Sequence, residues 1–115
     1  MKKWQIDYYS TSSGREPVQL FIDNLPRKAK SRVYYALELL AEFGPQLTLP
    51  HTKKVASTPL WELRILGTKH LRSFYIAKVG KSFLILHAFI KKSQHTPRKE
   101  IKTALKRLRD FQSRP

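Results

Sequence analysis

The chain has 115 residues, with 23 Lys and Arg against eight Asp and Glu, for a formal charge of +15. That length supports one domain, spanning 1–115, because two separate cores would each be too small to stand without staples. Having no cysteine excludes a disulfide framework and a thiolate metal site, and a hydrophobic share of 41% with regular apolar spacing argues against disorder.

The start, Met1-Lys2-Lys3-Trp4-Gln5, runs into no continuous apolar stretch, so no signal peptide is expected. Nor is any uncharged apolar run long enough to span a bilayer, and the expected compartment is the cytoplasm. A charge of this size opposes compactness and points to a polyanionic partner. Nucleic acid is favoured because neutralising phosphates releases counterions. A membrane surface fits less well, since the basic helices carry no Trp/Phe-rich insertion face. A charge serving solubility alone, or an acidic protein partner, is compatible with the same composition.

In chain order, Trp4 to Tyr9 alternates as a short strand. Ser10 to Gly14 is a turn-rich loop in which Ser13 and Glu16 have capping-box spacing. A short helix is expected from about Glu16 to Asn24, burying Val18, Phe21, Ile22 and Leu25. Pro26 opens a second helix whose stripe is Ala29, Val33, Ala36, Leu37, Leu40 and Ala41, with Arg27, Lys28, Lys30 and Arg32 crowding its first turns. Gly44-Pro45 stops it. Gln46 to Thr58 reads as a long loop carrying His51, Lys53 and Lys54.

Three strand-like runs follow, Leu60–Leu66, Leu71–Val79 and Ser82–Ile90. Gly67-Thr68-Lys69-His70 joins the first two, and Gly80-Lys81 makes a two-residue hairpin connection. Thr96 as N-cap and Pro97 at the first helical position open a last helix with the stripe Ile101, Ala104, Leu105 and Leu108. The order β-α-α-β-β-β-α argues an α+β fold: a small antiparallel sheet with the helices packed on one face and the other face open.

Standard catalytic sets are missing. Glu38 and Glu42, four apart on a helix, read as a solvated face. His51, His70, His87 and His95 have no ligand spacing, so no metal is expected. No glycine-rich phosphate loop is present, and no cofactor is expected.

A basic cluster around the meander remains. In Leu60-Trp61-Glu62-Leu63-Arg64-Ile65, alternation puts Trp61, Leu63 and Ile65 on one face and Glu62 and Arg64 on the other. Arg64 is therefore either a snorkelling surface charge or a functional group. Arg72 opens the next strand. In Leu86 to Gln94, His87, Phe89 and Lys91 share one face, opposite Leu86, Ala88 and Ile90. An aromatic ring between two nitrogen bases suits a stacked nucleobase beside a phosphate. The same pattern equally describes a core Phe89, a hydrogen-bonded His87 and lysines ending a strand.

Leu60-Trp61-Glu62-Leu63-Arg64, Arg72-Ser73-Phe74-Tyr75 and Leu86-His87-Ala88-Phe89-Ile90-Lys91-Lys92-Ser93-Gln94-His95-Thr96-Pro97 together resemble the HigB-like, phage-derived branch of the RelE/ParE toxin superfamily, over almost the whole chain. That resemblance implies a RelE-like fold and endoribonuclease activity on mRNA in the ribosomal decoding site. It also implies a cognate antitoxin, commonly a helix-turn-helix protein. Arg64 matches the strand arginine of the motif, Arg72 the second arginine, and Lys91/Lys92 the terminal basic pair; Lys54 matches a basic residue of the preceding loop. No counterpart of the C-terminal tyrosine used by some relatives is evident.

Metal-free cleavage uses the RNA 2′-hydroxyl as nucleophile and needs cations, an acid and a base. Arg64 and Arg72 are the expected cations, because a guanidinium fork binds phosphate oxygens bidentately. His87, or a lysine among Lys54, Lys91 and Lys92, is expected to move the protons. Lys53, Lys54, Phe89 and Gln94 are expected to contact RNA. The alternatives are a ParE-like toxin that binds gyrase without cutting RNA, and a simple RNA-binding module.

Overall fold

A computed structural model describes residues 3–95 and 97–115. Its elements are β1 (Gln5–Tyr8), α1 (Pro17–Asp23), α2 (Arg27–Phe43), a 3-10 turn (Gly44–Gln46), β2 (Thr52–Lys54), β3 (Trp61–Arg64), β4 (Leu71–Lys78), β5 (Ser82–Ile90) and α3 (Arg98–Gln112). The strands form one five-stranded sheet in the order β1-β5-β4-β3-β2. The α+β class holds, but the sheet is mixed: β1 lies parallel to β5, and the other neighbours are antiparallel. A parallel pair requires a long crossover, which the helical hairpin and the meander between β1 and β5 supply.

Helix α2 forms where the stripe demands, burying Val33, Ala36, Leu37, Leu40 and Ala41. It ends at Gly44, whose φ of 56° suits a residue without Cβ. A Cβ there would also collide with the Trp4 indole, which stacks on Phe83 at 4.7 Å. The capping box does not form: Glu16 is the N-cap of α1 without a side-chain bond, and Ser13 Oγ is instead 3.0 Å from Thr11 Oγ1. Pro97, expected at the first helical position, is instead the N-cap of α3, so the helix starts one residue later, and Thr96 lies outside the described residues.

Two other local expectations change. The loop before Trp61 contains the edge strand β2, pinned where Thr52 Oγ1 donates to the Leu47 carbonyl at 2.6 Å. Three residues, Val79 to Lys81, link β4 and β5, with Gly80 and Lys81 both at positive φ.

The largest correction concerns the sheet's two faces. Helices do not cover one face alone. On one side α1 and α2 pack Val18, Ile22, Leu37 and Leu40 against Leu63, Ile65, Phe83 and Ile85. On the other, α3 packs Ala104 and Leu108 against Phe74, Leu84, Leu86 and Phe89. The physical reason lies in β5, where Phe83-Leu84-Ile85-Leu86 offers apolar side chains to both faces in succession, as buried strands do.

Alternation also breaks at Leu86. Phe74 pairs with His87 but Tyr75 with Ile85, so a bulge leaves Leu86 without a cross-strand partner. Leu86 therefore joins the α3 side with His87 and Phe89, rather than the side of Ala88.

Ala104 is 0% exposed where α3 meets the sheet. Ala104→Leu should destabilise the protein by about 1–3 kcal/mol in urea unfolding, the cost of overpacking a filled core. A neutral result would mean that this face is open after all.

Candidate functional site

The α3 face of the sheet is dry at its centre and open at one end. Helix α3 covers Phe74 and Phe89, while β2, the outer part of β3 and residues 91–95 frame two adjoining clefts. One, of about 340 Å³, is lined by Lys53, Lys54, Val55, Ala56, Glu62, Arg64, Lys91, Gln94, His95 and Ile101. Its neighbour, of about 480 Å³, is lined by His70, Arg72, Lys91, Lys92, Ser93 and Gln94. Lys91 and Gln94 line both clefts, and the Lys91 amide donates to the His70 carbonyl at 2.8 Å, tying their two walls together.

Strand register creates the centre of this site. Arg64 on β3 lies directly opposite Arg72 on β4, a like-charge pair that is unfavourable by itself. Glu62, two residues before Arg64 and so on the same face, makes the pair tolerable. Its Oε2 lies 3.5 Å from Arg64 Nε and 3.7 Å from Arg72 Nε. Glu62 is only 5% exposed, and it is the single carboxylate among the described residues lining the clefts.

The counter-charge is shared rather than saturating. Arg72 donates from Nη1 to the Leu71 carbonyl at 3.0 Å, but its buried Nε–H has no hydrogen-bond partner. Burial lowers the affinity of the Arg72 guanidinium for its proton, against the attraction of Glu62. The unpaired donor belongs to the Arg72 guanidinium itself and lies 3.7 Å from Glu62 Oε2, so the carboxylate only partly offsets its desolvation.

The structure thus brings together Arg64, Arg72, Lys91, Lys92, Lys53 and Gln94. Lys54 lines the same cleft from the edge strand, while its Nζ donates to the Thr58 carbonyl and lies 6.0 Å from the Trp61 ring centroid. Trp61 itself, expected in the core, is 40% exposed, because the first core takes in Leu63 and Ile65 but not this end of β3.

His87 and Phe89 are placed elsewhere. Phe89 is 3% exposed and packs on Phe74 at 4.9 Å, so its ring offers no face to a nucleobase. His87 lies between β5 and α3, with Nε2 2.8 Å from Glu100 Oε1 and Nδ1 3.2 Å from Arg107 Nη1. A guanidinium only donates, so Nδ1 accepts and the ring proton sits on Nε2, directed at Glu100. Burial holds the His87 pKa below its ordinary value; the Glu100 hydrogen bond opposes this and the Arg107 charge adds to it. Both ring nitrogens are occupied, and the ring lines neither cleft.

Glu62, His70 and His95 are the cleft residues that the sequence did not single out. Glu62 carried a usable signal, its position on the Arg64 face between the apolar Trp61 and Leu63. His70 and His95 carried none, since their roles depend on where two loops meet. Among the described residues no group of three or more His, Cys, Asp or Glu could hold a metal ion, and no helix is long and apolar enough to cross a membrane.

A cationic cleft at the open end of a small mixed sheet characterises this α+β protein. The chain belongs to the family described as Phage derived protein Gp49-like (DUF891), whose profile matches residues 20–109. That family is RelE-like and toxin-like. No curated protein matches the chain.

Two outcomes follow from this geometry. Glu62→Gln should cost about 1–3 kcal/mol in urea unfolding, less than a fully buried pair because both arginines are partly exposed, and less again at high salt. No loss would mean that the arginine pair needs no counter-charge. The His87 pKa is depressed in the folded state, so the unfolded chain takes up the proton first as pH falls. The stability His87 contributes is therefore full above about 6.5, its ordinary value, and is lost as pH drops towards the folded value. Unfolding measured between pH 7.5 and 5.5 should show a weaker pH dependence in His87→Gln than in the parent protein, and equal slopes would contradict the assignment.

Proposed function

We propose that this protein is the toxin of a type II toxin–antitoxin system, an endoribonuclease that cleaves mRNA on the translating ribosome without a metal ion. A cognate helix-turn-helix antitoxin restrains it. The observation that carries the reading is the cross-strand Arg64–Arg72 pair around Glu62, with Arg64 lining one lysine-bearing cleft and Arg72, whose buried Nε–H is unsatisfied, lining the adjoining one. Membership of the Gp49-like family supports the toxin-like part of the reading, and the resemblance to HigB-like toxins is the ground for proposing the ribosome, the mRNA and the antitoxin.

In this reading the scissile phosphate sits between the two guanidinium groups. The RNA 2′-hydroxyl attacks that phosphorus and loses its proton to a base. The bond to the 5′-oxygen breaks as that oxygen gains a proton from an acid. The products are a 2′,3′-cyclic phosphate and a free 5′-hydroxyl, and no water or metal is consumed. Arg64 and Arg72 stabilise the charge that gathers on the phosphorane, commonly the largest catalytic contribution. Lys54, Lys91, Lys92, His70 and His95, which line the clefts, are the groups available to move the two protons. His87 is not, since Glu100 and Arg107 engage both its nitrogens. Lys53, Lys54 and Gln94 flank the phosphate path.

Arg64→Ala tests the reading. Melting should show a loss of about 1 kcal/mol, as for a half-exposed strand position with one partner. Cleavage of mRNA on programmed ribosomes, mapped by 5′ ends, should drop by roughly two or more orders of magnitude and be indifferent to EDTA once ribosome integrity is controlled. Arg64→Lys should recover part of the rate, because an ammonium lacks the planar fork. A folded Arg64→Ala protein that remains fully toxic would place toxicity outside this cleft, as a gyrase-binding protein would.

A further inference from the structure

Helix α3 carries a second anionic-ligand surface, separate from the cleft. At 3.6 residues per turn, Arg98, Lys99, Lys102, Lys106 and Arg109 fall within an arc of about 100°. All five are exposed, and among the described residues none has a side-chain ion pair. The carboxylates of α3 are used on its other sides: Glu100 bonds His87, while Asp110 takes the Tyr9 hydroxyl at 2.5 Å and pairs with Arg114.

Nothing in the fold asks for this stripe. Like charges three and four residues apart destabilise a helix, and Arg98 and Lys99 oppose the dipole at the helix N-terminus. Ala104 and Leu108 hold α3 in place by burial on the opposite side, so the stripe contributes repulsion and no packing.

We infer that the exposed stripe of α3 is a docking ridge for the phosphate backbone of duplex RNA. From Lys99 to Arg109 the ridge is about 15 Å long at 1.5 Å per residue. One strand of a duplex presents a charge every few ångströms of axis, so the ridge spans several consecutive phosphates. The five cations have no aromatic or large apolar side chain among them in that arc, and a protein interface needs such an anchor at its centre. A membrane-surface helix needs an exposed apolar face, whereas that of α3 is packed on the sheet. A phosphate backbone needs only charge at the right pitch. The choice of RNA over DNA rests on the proposed ribonuclease function; the ridge itself stands on its charge and geometry, whether or not the cleft cuts RNA.

The experiment measures binding of a labelled 14-base-pair RNA duplex by fluorescence anisotropy across salt concentrations, for the full chain and three variants. Lys102→Ala/Lys106→Ala/Arg109→Ala should bind about tenfold or more weakly at moderate salt, with the log–log salt slope reduced by about 3, one per lost phosphate contact. Its melting temperature should hold or rise, because the substitutions remove repulsion and raise helix propensity. Lys102→Arg/Lys106→Arg should bind like the parent protein. Arg64→Ala should lose cleavage and at most about one unit of salt slope, one phosphate contact, which separates failure of the cleft from failure of the ridge. Unchanged duplex affinity and slope in the triple variant would overturn the ridge. So would tighter, ridge-dependent binding of a DNA duplex of the same sequence, of poly-glutamate, or of phosphatidylglycerol vesicles.

Discussion

Burial of both faces of β5 is the constraint from which the rest of the architecture follows. A strand apolar at Phe83, Leu84, Ile85 and Leu86 must be covered twice, so the helical hairpin takes one side and α3 the other. The bulge at Leu86 lets two further residues, His87 and Phe89, turn towards α3. It also takes Leu86 out of cross-strand register, and Arg107 donates to the Leu86 carbonyl at 2.9 Å. The same guanidinium reaches His87 and lies 5.7 Å from the Tyr9 ring centroid. Together with Glu100–His87 near its start and the Tyr9–Asp110–Arg114 contacts near its end, this fixes α3 along the sheet, with charge-assisted bonds added to apolar packing.

The cleft is a consequence of that docking. Residues 91–95 leave the end of β5, and α3 begins at Arg98. The His87–Glu100 bond joins the two elements that this segment connects, so the wall carrying Lys91, Gln94 and His95 is held at both ends. Opposite it, the sheet register sets Arg64 against Arg72 with Glu62 beneath. Four of the protein's eight acids pair beside the sheet and α3, Asp7 with Lys78, Glu62 with the two arginines, Glu100 with His87 and Asp110 with Arg114, while Glu16, Asp23, Glu38 and Glu42 are exposed. What remains facing solvent is dominated by cations. The +15 charge is thus an arranged excess, concentrated in the clefts and along α3.

How much of this was legible depended on whether a signal was local. The α2 stripe is a matter of spacing within one element, and Val33, Ala36, Leu37, Leu40 and Ala41 are buried as that spacing requires. Strand β5 was legible in extent but not in its double coverage, since its continuous apolar run was read against a one-faced sheet. The bulge was invisible, because only pairing with Phe74 and Tyr75 defines it. Strand β2 has three residues, too few to display alternation. In the site, Arg64 and Arg72 followed from pattern and resemblance, but their direct opposition depends on register. Phe89 and His87 show the limit in the other direction: alternation gave their face correctly, yet α3 covers that face.

Electrostatics explains why such a site gains from being only partly neutralised. Glu62 is close enough to keep two guanidinium groups in one sheet, but at 3.5 Å and 3.7 Å it is not in a tight bidentate pair with either. A stronger pairing would fix the arginines on the carboxylate and leave little for a ligand. Without the carboxylate, the desolvated Arg72 would have repulsion from Arg64 and no compensation. The intermediate arrangement keeps both forks nearly in place, with one N–H still unpaired. In the proposed ribonuclease reading, an arriving phosphate would meet donors that need little reorganisation, in surroundings drier than bulk water. Those are the conditions under which a charged hydrogen bond contributes more to a transition state than to a solvated ground state.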